Sequence, residues 1–515
     1  MAKTSTQKAS GTAGETKTNR APSVPTPVMT VRHYCQGLGD CHLIRIKRKG
    51  PRDFFMLIDC GVHSSVTGGP GTIDAIVSDI LTVTKKIDVL VVTHEHVDHV
   101  SGFLSAAKKF AEFEEIGEVW MGWTENPADP QARQLDKFKG QAIALLSQAS
   151  QRLAAVDSKD DYMANVRDGV RSILGFNFGV KGERVRKMRD EAGKLAKTQP
   201  PVYLEPGSLR PAIPGLDHLR IYVLGPPRDP ALLKVTDRQS EMYSLASATA
   251  APIAAALQGS FALTIAGDQF VDDPAAPFDC NVGLPLDKAL SGDLGDEHEH
   301  AAASFLAQHY SGPLPAPPRA RRQRKPTDPN VMDQSWRRID HDWLAMSSTL
   351  AMQLDDQTNN TSVVLAFENI KTGRVMLFAA DAQIGSWLSW QDLTWDVGTG
   401  AVTGPDLLAR TVFYKVGHHG SKNATAQAKG LELMTSPDLS AFIPTNQKDA
   451  KKVGWGEMPF HGILEALEKK TNGRAVRADD AWLGTGTLPP ALQKPSGSLQ
   501  AVHSDSRLWV EFDLA

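Results

Sequence analysis

Two apolar patterns alternate along the N-terminal part of the chain: short continuous apolar runs, and stretches in which apolar residues recur at helical spacing. Apolar residues that recur every three or four positions predict helices over 72–86 and 102–113. Short apolar runs rich in β-branched residues predict strands over 28–34, 42–46, 54–58, 87–92 and 119–123. This alternation of strands and helices predicts an α/β sandwich.

The same pattern returns in the C-terminal part of the chain, after two polar segments. Predicted strands there cover 219–225, 359–367, 375–381, 412–416, 441–444 and 508–512, and a predicted helix covers 461–470. The charged, helix-prone segment at about 129–200 predicts a helical insertion. A second insertion, at about 229–335, is mixed and has a Pro- and Arg-rich end. We therefore expect one domain over 28–515 that carries both insertions.

The composition, with 41% apolar and 22% charged residues, is that of a soluble globular protein. Residues 1–27 lack an apolar core, which predicts a disordered tail and no signal peptide. No run reaches the roughly 18 apolar residues of a membrane-spanning helix, so we expect no membrane partner. A net charge of −3 does not by itself indicate a nucleic-acid partner.

The cysteines are few and scattered, which favours a cytoplasmic protein without a disulfide framework: Cys35, Cys41, Cys60 and Cys280.

A metal-binding pattern follows the predicted strand over 87–92. The chain reads Thr93-His94-Glu95-His96-Val97-Asp98-His99. Two histidines two residues apart at a strand end project to the same side, and the turn that follows can bring Asp98 and His99 to a second point nearby. The alternative is that Asp98 caps a helix beginning near His99. The complete string after a buried strand favours two adjacent metal positions.

This string resembles the signature of the metallo-β-lactamase fold hydrolases. The resemblance implies an αββα sandwich, two sheets between helices, with metal at strand ends along one edge. It is closest to the hydrolase domain of ComEC-type DNA-uptake proteins, which have a Gly-x-Gly-Asp turn, as at 37–40, and a strand ending in Asp-x-Gly, as at 59–61. An Asn-Asn-x-Ser segment, a strand ending in Asp381 and a Lys-Val-x-His-His-Gly-Ser segment at 415–421 follow in the family's order.

The resemblance implies a set of metal ligands, carried over residue by residue. His94 and His96 would hold the first metal ion, and Asp98, His99 and His418 the second, with Asp381 bridging the two ions. His419 is the alternative to His418, which we favour because it comes first after the strand and the glycine. The ligands suit one or two Zn²⁺ ions, with Mn²⁺ or Fe as alternatives.

One departure from the family leaves the first metal position incomplete. Gly225 ends the strand over 219–225, where many members of the superfamily place a histidine. Histidines of the second insertion, in Glu297-His-Glu-His300 and at His309, are candidate replacements. A His-Glu repeat in a polar loop is also ordinary protein surface, so the missing ligand stays open.

Two carboxylates have implied catalytic roles, and two residues are candidates for substrate binding. Asp59 matches the family's acidic residue that braces the metal ligands by hydrogen bonds, and Asp98 would orient the attacking hydroxide. Ser421 and Lys422 can present a hydroxyl and an ammonium group to an anionic substrate. A Ser-His-Asp mechanism is disfavoured because no Gly-x-Ser-x-Gly elbow surrounds Ser421.

We therefore predict a zinc-type metallohydrolase that attacks phosphodiesters with a metal-bound hydroxide. The substrate is expected to be a small anion or a nucleic acid; basic residues at 184–197 and 319–325 could contact phosphates, although solvated surface is the simpler interpretation. Hydrolysis of carboxylic esters, lactones or β-lactams on the same fold is the alternative enzyme. A non-catalytic binding protein with a degenerate metal site is the third hypothesis. The sequence indicates no particular protein partner.

Overall fold

The computed structural model describes residues 28–63, 69–154, 161–174, 183–235, 238–243, 305, 346–494, 496–505 and 507–515. Within these ranges the chain has the mixed α/β fold that the sequence predicts. The predicted tail and most of the second insertion lie outside the described residues, together with Cys280, the histidines at 298, 300 and 309, and the basic residues at 319–325. Cys35, Cys41 and Cys60 are free thiols.

The described residues form sixteen strands and twelve α-helices. The strands are β1 (Met29–Tyr34), β2 (His42–Ile46), β3 (Phe54–Ile58), β4 (Lys86–Val91), β5 (Glu115–Gly122), β6 (Val202–Leu204), β7 (Leu219–Gly225), β8 (Val364–Asn369), β9 (Arg374–Phe378), β10 (Thr394–Asp396), β11 (Ala401–Thr403), β12 (Thr411–Lys415), β13 (Ser440–Ile443), β14 (Ala475–Arg477), β15 (Leu499–Asp505) and β16 (Trp509–Leu514). The helices are α1 (Gly69–Val83), α2 (Val97–Ser105), α3 (Ala107–Phe110), α4 (Pro130–Leu153), α5 (Asp161–Ile173), α6 (Glu183–Lys194), α7 (Pro230–Leu233), α8 (Met346–Asn359), α9 (Ile384–Ser389), α10 (Gly404–Ala409), α11 (Gln447–Lys452) and α12 (His461–Thr471).

Two large sheets carry the fold. The first has eight strands in the order β15-β16-β1-β2-β3-β4-β5-β6, and the second has six in the order β14-β13-β12-β9-β8-β7. In the first sheet β3, β4, β5 and β6 run parallel, and in the second β9, β12, β13 and β14 run parallel. Because parallel neighbours end at the same edge, the loops after β3 and β4 lie side by side, as do those after β9 and β12.

The two sheets pack face to face, with helices on their outer faces. One buried cluster contains side chains from both sheets, including Ile44, Val91, Phe367 and Phe413. The other face of the eight-stranded sheet packs against α1, α2, α3 and α6, and that of the six-stranded sheet against α9, α10 and α12. Each sheet is therefore apolar on both faces, which explains why its central strands are continuous apolar runs.

The first insertion contains three helices, α4, α5 and α6. Helices α4 and α5 share a small core with α8, which includes Leu146, Val170 and Leu354. Asp129 caps α4 by accepting hydrogen bonds from the backbone N–H groups of Gln131 and Ala132. No helix within the described ranges has the length and apolarity required to cross a membrane.

Two predicted boundaries near the motifs are wrong. The helix after the metal-binding string was predicted over 102–113, but α2 begins at Val97, so Asp98 and His99 lie in its first turn. The metal-binding string is rich in polar residues, so its sequence does not show that the apolar face of α2 already begins at Val97. The strand predicted over 359–367 is also shifted, because α8 ends at Asn359 and β8 begins only at Val364.

Glycines allow two turns to press against the metal-binding string. A Cβ atom on Gly61 would lie 2.3 Å from the carbonyl carbon of Asp98. Gly39, with a φ of 142°, also lies close to this backbone, since its Cβ would lie 2.8 Å from the Asp98 carbonyl oxygen. The backbone N–H of Asp40 donates to that same oxygen over 3.0 Å. The turns at 37–40 and 59–61 thus support the first turn of α2.

We expect Gly61→Ala to destabilise the protein and Gly169→Ala to stabilise it. The first substitution overpacks a closed contact, which costs about 1–3 kcal/mol of unfolding free energy. Gly169 lies inside α5, where an added Cβ atom would meet nothing within 4 Å, so alanine there should add about 0.5–1 kcal/mol. Urea denaturation followed by circular dichroism measures both values. Equal effects of the two substitutions would contradict the close packing at Gly61.

Candidate metal centre

Four buried side chains converge from the ends of three strands in two sheets. Asp98 and His99 follow β4, Asp381 follows β9, and His419 follows β12. One potential ligand atom from each of the four lies within 4.8 Å of the others. Each of these side chains belongs to a residue that is at most 3% exposed. The two sheets therefore both contribute to one compact group of two imidazoles and two carboxylates.

The spacing within this group fits a metal ion. His99 Nε2 lies 3.1 Å from Asp381 Oδ2, and His419 Nε2 lies 2.9 Å from Asp98 Oδ2. A third separation, from His99 Nε2 to Asp98 Oδ2, is 3.9 Å. Zinc bonds of about 2.0–2.1 Å in a tetrahedron separate neighbouring ligand atoms by roughly 3.3 Å. Asp98 Oδ1 is also buried without a hydrogen-bond partner among the described residues, so one carboxylate oxygen stays open beside the Oδ2 that faces both histidines.

The charges in the group favour a cation at its centre. Burial lowers the pKa of His99, but Asp381, Asp98 and Asp59 outweigh burial and hold that pKa well above its usual value. Burial raises the pKa of Asp381, yet His99 and other cations lower it well below the usual range. The group thus attracts a proton to His99 when no metal is bound, and a metal ion would displace that proton.

Asp59 holds His99 from behind. The Asp59 carboxylate accepts hydrogen bonds from the Thr93 backbone N–H over 2.8 Å and from the Thr93 hydroxyl over 2.6 Å. His99 Nδ1 lies 2.8 Å from the same carboxylate, so Nδ1–H donates to Asp59 and Nε2 faces Asp381. This contact fixes the tautomer and orientation of the imidazole. It has the geometry of the bracing role that the family resemblance implies for Asp59.

His94 and His96 lie beside the group of four but are not part of it. Their rings are in contact, with His94 Nε2 3.1 Å from His96 Nδ1, and the ring of His94 lies 4.1 Å from that of His99 between centroids. Burial lowers the pKa of His96 to about 3. Burial also holds the pKa of His94 well below its usual value, so both rings are neutral, as metal ligation requires.

Gly225 leaves the position of His94 and His96 without a further ligand from β7. A Cβ atom at Gly225 would lie 3.0 Å from the Ser362 carbonyl oxygen and 3.2 Å from Val364 Cγ2. A histidine in this position would require the neighbouring strand to shift. The candidate replacements from the second insertion lie outside the described residues, so among the described residues one group of four could hold a metal ion, with two further histidines beside it.

His418 is not in the group of four, and our preference for it over His419 is corrected here. Its ring contacts Gln383, Asn359 and Ser421 instead, the last with His418 Nδ1 2.8 Å from Ser421 Oγ. Both histidines have left-handed backbone conformations, with φ of 41° and 53°. These conformations turn the chain after β12, so that the second imidazole and not the first faces Asp98.

The two residues predicted to bind substrate are placed differently from each other. The Ser421 hydroxyl donates to Asn423 Oδ1 over 2.9 Å and also contacts His418, and the residue is only 7% exposed. Lys422 is exposed on the surface next to it. The structure therefore assigns the serine hydroxyl to the support of His418, while Lys422 faces solvent.

Two site residues, Asp40 and Lys415, are missed when only ligand motifs are considered. They form a salt bridge at 1% exposure, and Lys415 Nζ also lies 3.7 Å from Asp381 Oδ1 and donates to the Ala380 carbonyl over 3.1 Å. Burial raises the pKa of Asp40, but Lys415 and His42 hold it well below its usual range. A lysine inside the apolar run over 412–416 was the available signal, because a buried lysine requires a charged partner.

No known family model matches the chain, and no curated protein sequence matches it either.

We expect Lys415→Met to destabilise the metal-free protein by about 3–5 kcal/mol, because Asp40 is then left buried without its cation. Lys415→Met combined with Asp40→Asn should recover most of this loss. Lys47→Met removes a lysine that pairs with Asp53 at the surface, so its effect should stay within about 1 kcal/mol. Urea denaturation of the four proteins in EDTA measures the changes. A loss for Lys415→Met no larger than for Lys47→Met would contradict the buried pair.

Proposed function

We propose that this protein is a metal-dependent hydrolase of the metallo-β-lactamase fold, similar to the hydrolase domain of ComEC-type proteins, that cleaves phosphodiesters. The observation that carries the proposal is the buried group of Asp98, His99, Asp381 and His419 at the ends of three strands from the two sheets. The packing of helices, sheet, sheet and helices supports it, because that is the layer order the motifs imply. The order of the five motifs supports the comparison with ComEC-type domains.

Two imidazoles and two carboxylates suit Zn²⁺ best, with Mn²⁺ or Fe as alternatives where carboxylates are shared. When bound, such an ion lowers the pKa of water and stabilises negative charge on a phosphoryl group. The unpartnered Oδ1 of Asp98 can accept a hydrogen bond from the attacking water and so orient it. Asp59 and the Lys415–Asp40 pair hold His99 and Asp381 in place by direct contacts.

His418 has a separate role in this proposal. Unlike the four grouped residues it is partly exposed, and its backbone N–H donates to Asp381 Oδ1 over 3.0 Å. Burial lowers its pKa, so the imidazole is neutral at pH 7. The imidazole is fixed beside Asp381 by Ser421 and Asn359, and its backbone contact would help to hold that carboxylate in place. Lys422 supplies a cation nearby in sequence for an anionic substrate.

The second candidate function is a metal-binding protein without catalysis. The observation that favours it is the burial of the site, since the four grouped residues are at most 3% exposed and Asp355 Oδ1 of α8 lies 3.5 Å from His96 Nε2. The closed surroundings of Gly225 add to it, because they leave the first metal position incomplete. Such a protein would bind zinc and leave every substrate unchanged.

We expect the zinc- or manganese-loaded protein to hydrolyse bis-p-nitrophenyl phosphate. His419→Ala should lose one metal ligand and lower turnover by more than about 100-fold, since even residues that only support ligands contribute about 10–100-fold. His418→Ala should keep the metal content and lower turnover less. His461→Ala is the matched control, because this histidine is exposed on α12 and pairs only with Glu465 among the contacts that the structure describes. Metal analysis and turnover are measured in the same samples.

Each other outcome selects a different function. Loaded protein that leaves bis-p-nitrophenyl phosphate and single- and double-stranded DNA and RNA unchanged contradicts the phosphodiesterase. Turnover of nitrocefin or a lactone in that case indicates an ester or lactam hydrolase. Bound metal without any turnover indicates the binding protein, and a protein that binds no metal contradicts the site itself.

A further inference from the structure

A cavity of about 260 Å³ lies beside the metal centre, between the two insertions and the metal-binding string. Helices α4, α6 and α8 and the segment after β5 form its walls. The residues that matter for its chemistry are Glu95, Thr124, Arg133, Leu135, Phe138 and Leu354. The cavity is separate from the metal ligands, none of which lines it.

Two elements each present one side to the metal centre and another to the cavity. In the string, Glu95 lines the cavity, while His94 and His96 on either side of it contact each other next to the metal ligands. In α8, Leu354 and Thr358 line the cavity, whereas the neighbouring Asp355 contacts His96. Residues four apart lie on one face of a helix, so α8 separates the two sites.

Most charged groups around the cavity already have partners. Arg189 of α6 pairs with Glu95 over 2.9 Å and with Glu125, and Asp136 pairs with Arg186. The basic segment over 184–197 therefore directs at least Arg189 inward and not towards phosphates. Arg133 is different, because it is exposed at the cavity and makes no ion pair with any residue the structure describes.

A second polar group points to a ligand. Thr124 lines the cavity and is 8% exposed, and its buried hydroxyl has no hydrogen-bond partner among the described residues. Buried hydroxyls almost always have a partner, so this one is available to a bound molecule. The rest of the lining is largely apolar and includes Leu135, Leu354 and Phe138, whose ring is 36% exposed.

We infer that this cavity binds a small amphiphilic anion, a molecule with an apolar body and one carboxylate, sulfonate or phosphate group. The apolar body would contact Leu135, Phe138 and Leu354. The anionic group would pair with Arg133, and the Thr124 hydroxyl would donate a hydrogen bond to the ligand. A mostly apolar pocket with a few polar groups is the usual form of a small-molecule site. The inference does not depend on the reaction at the metal centre.

Fluorescence titration of the full-length protein with 8-anilinonaphthalene-1-sulfonate tests the inference, in EDTA and again with zinc. We expect saturable binding of one molecule per chain in both conditions. Arg133→Gln should weaken binding by about threefold to fivefold, the range for one exposed ion pair. Lys137→Gln is the matched control, since it removes one positive charge from the same helix at a residue that does not line the cavity. Leu135→Trp should fill the space and abolish binding.

A neutral probe allows a comparison within the wild-type protein, so the test does not depend on whether any single variant folds. N-phenyl-1-naphthylamine has the same apolar body without the sulfonate, so it should bind wild-type protein more weakly than the anion. Arg133→Gln should remove that preference. Equal binding of the anion by Arg133→Gln and Lys137→Gln, or no preference for the anion in wild-type protein, would overturn the inference. Absence of saturable binding would overturn it as well, whether the cavity is filled by the chain itself or binds nothing.

Discussion

A lysine and an aspartate buried between the two sheets are the constraint on which the site depends. Lys415 ends β12 of the six-stranded sheet, and Asp40 lies in the turn between β1 and β2 of the eight-stranded sheet. Neither charge is stable in the interior without the other, so the pair ties the sheets together at one edge. Lys415 also contacts Asp381, and Asp40 lies 3.9 Å from His99 Nδ1. The ligands from the two sheets are thereby held at a fixed separation.

Backbone strain is concentrated at this same edge. Of the described residues other than glycine, six have a positive φ, and four of these lie at the ends of β3, β9 and β12: Asp59, Ala380, His418 and His419. Such conformations persist where surrounding contacts enforce them, and they occur often at functional sites. The consequence here is that the contacts around these turns hold the side chains of the site in place. The apolar core between the sheets supplies the packing that maintains it.

The sequence predicts the parts of the site that depend on local pattern. His94, His96, Asp98 and His99 follow a buried strand in one short string, and Asp381 follows another, so the sequence places each of them at a strand end. Their meeting depends on the packing of the two sheets, because the two strands belong to different sheets. The choice of His419 over His418 could not be predicted, because it depends on two left-handed residues after β12. The Asp40–Lys415 pair joins residues far apart in the chain, and the cavity beside Glu95 requires helices of the first insertion together with α8, so neither has a local signal.

The most direct test of the account is an anomalous difference map, recorded at the zinc absorption edge from crystals of the wild-type protein grown with zinc. We expect the strongest peak of this map between Asp98, His99, Asp381 and His419, with bonds of about 2.0–2.2 Å. A second peak at His94 and His96 would be weaker. A strongest peak that excludes Asp98 and His419, or one held by His418 in place of His419, would contradict the account.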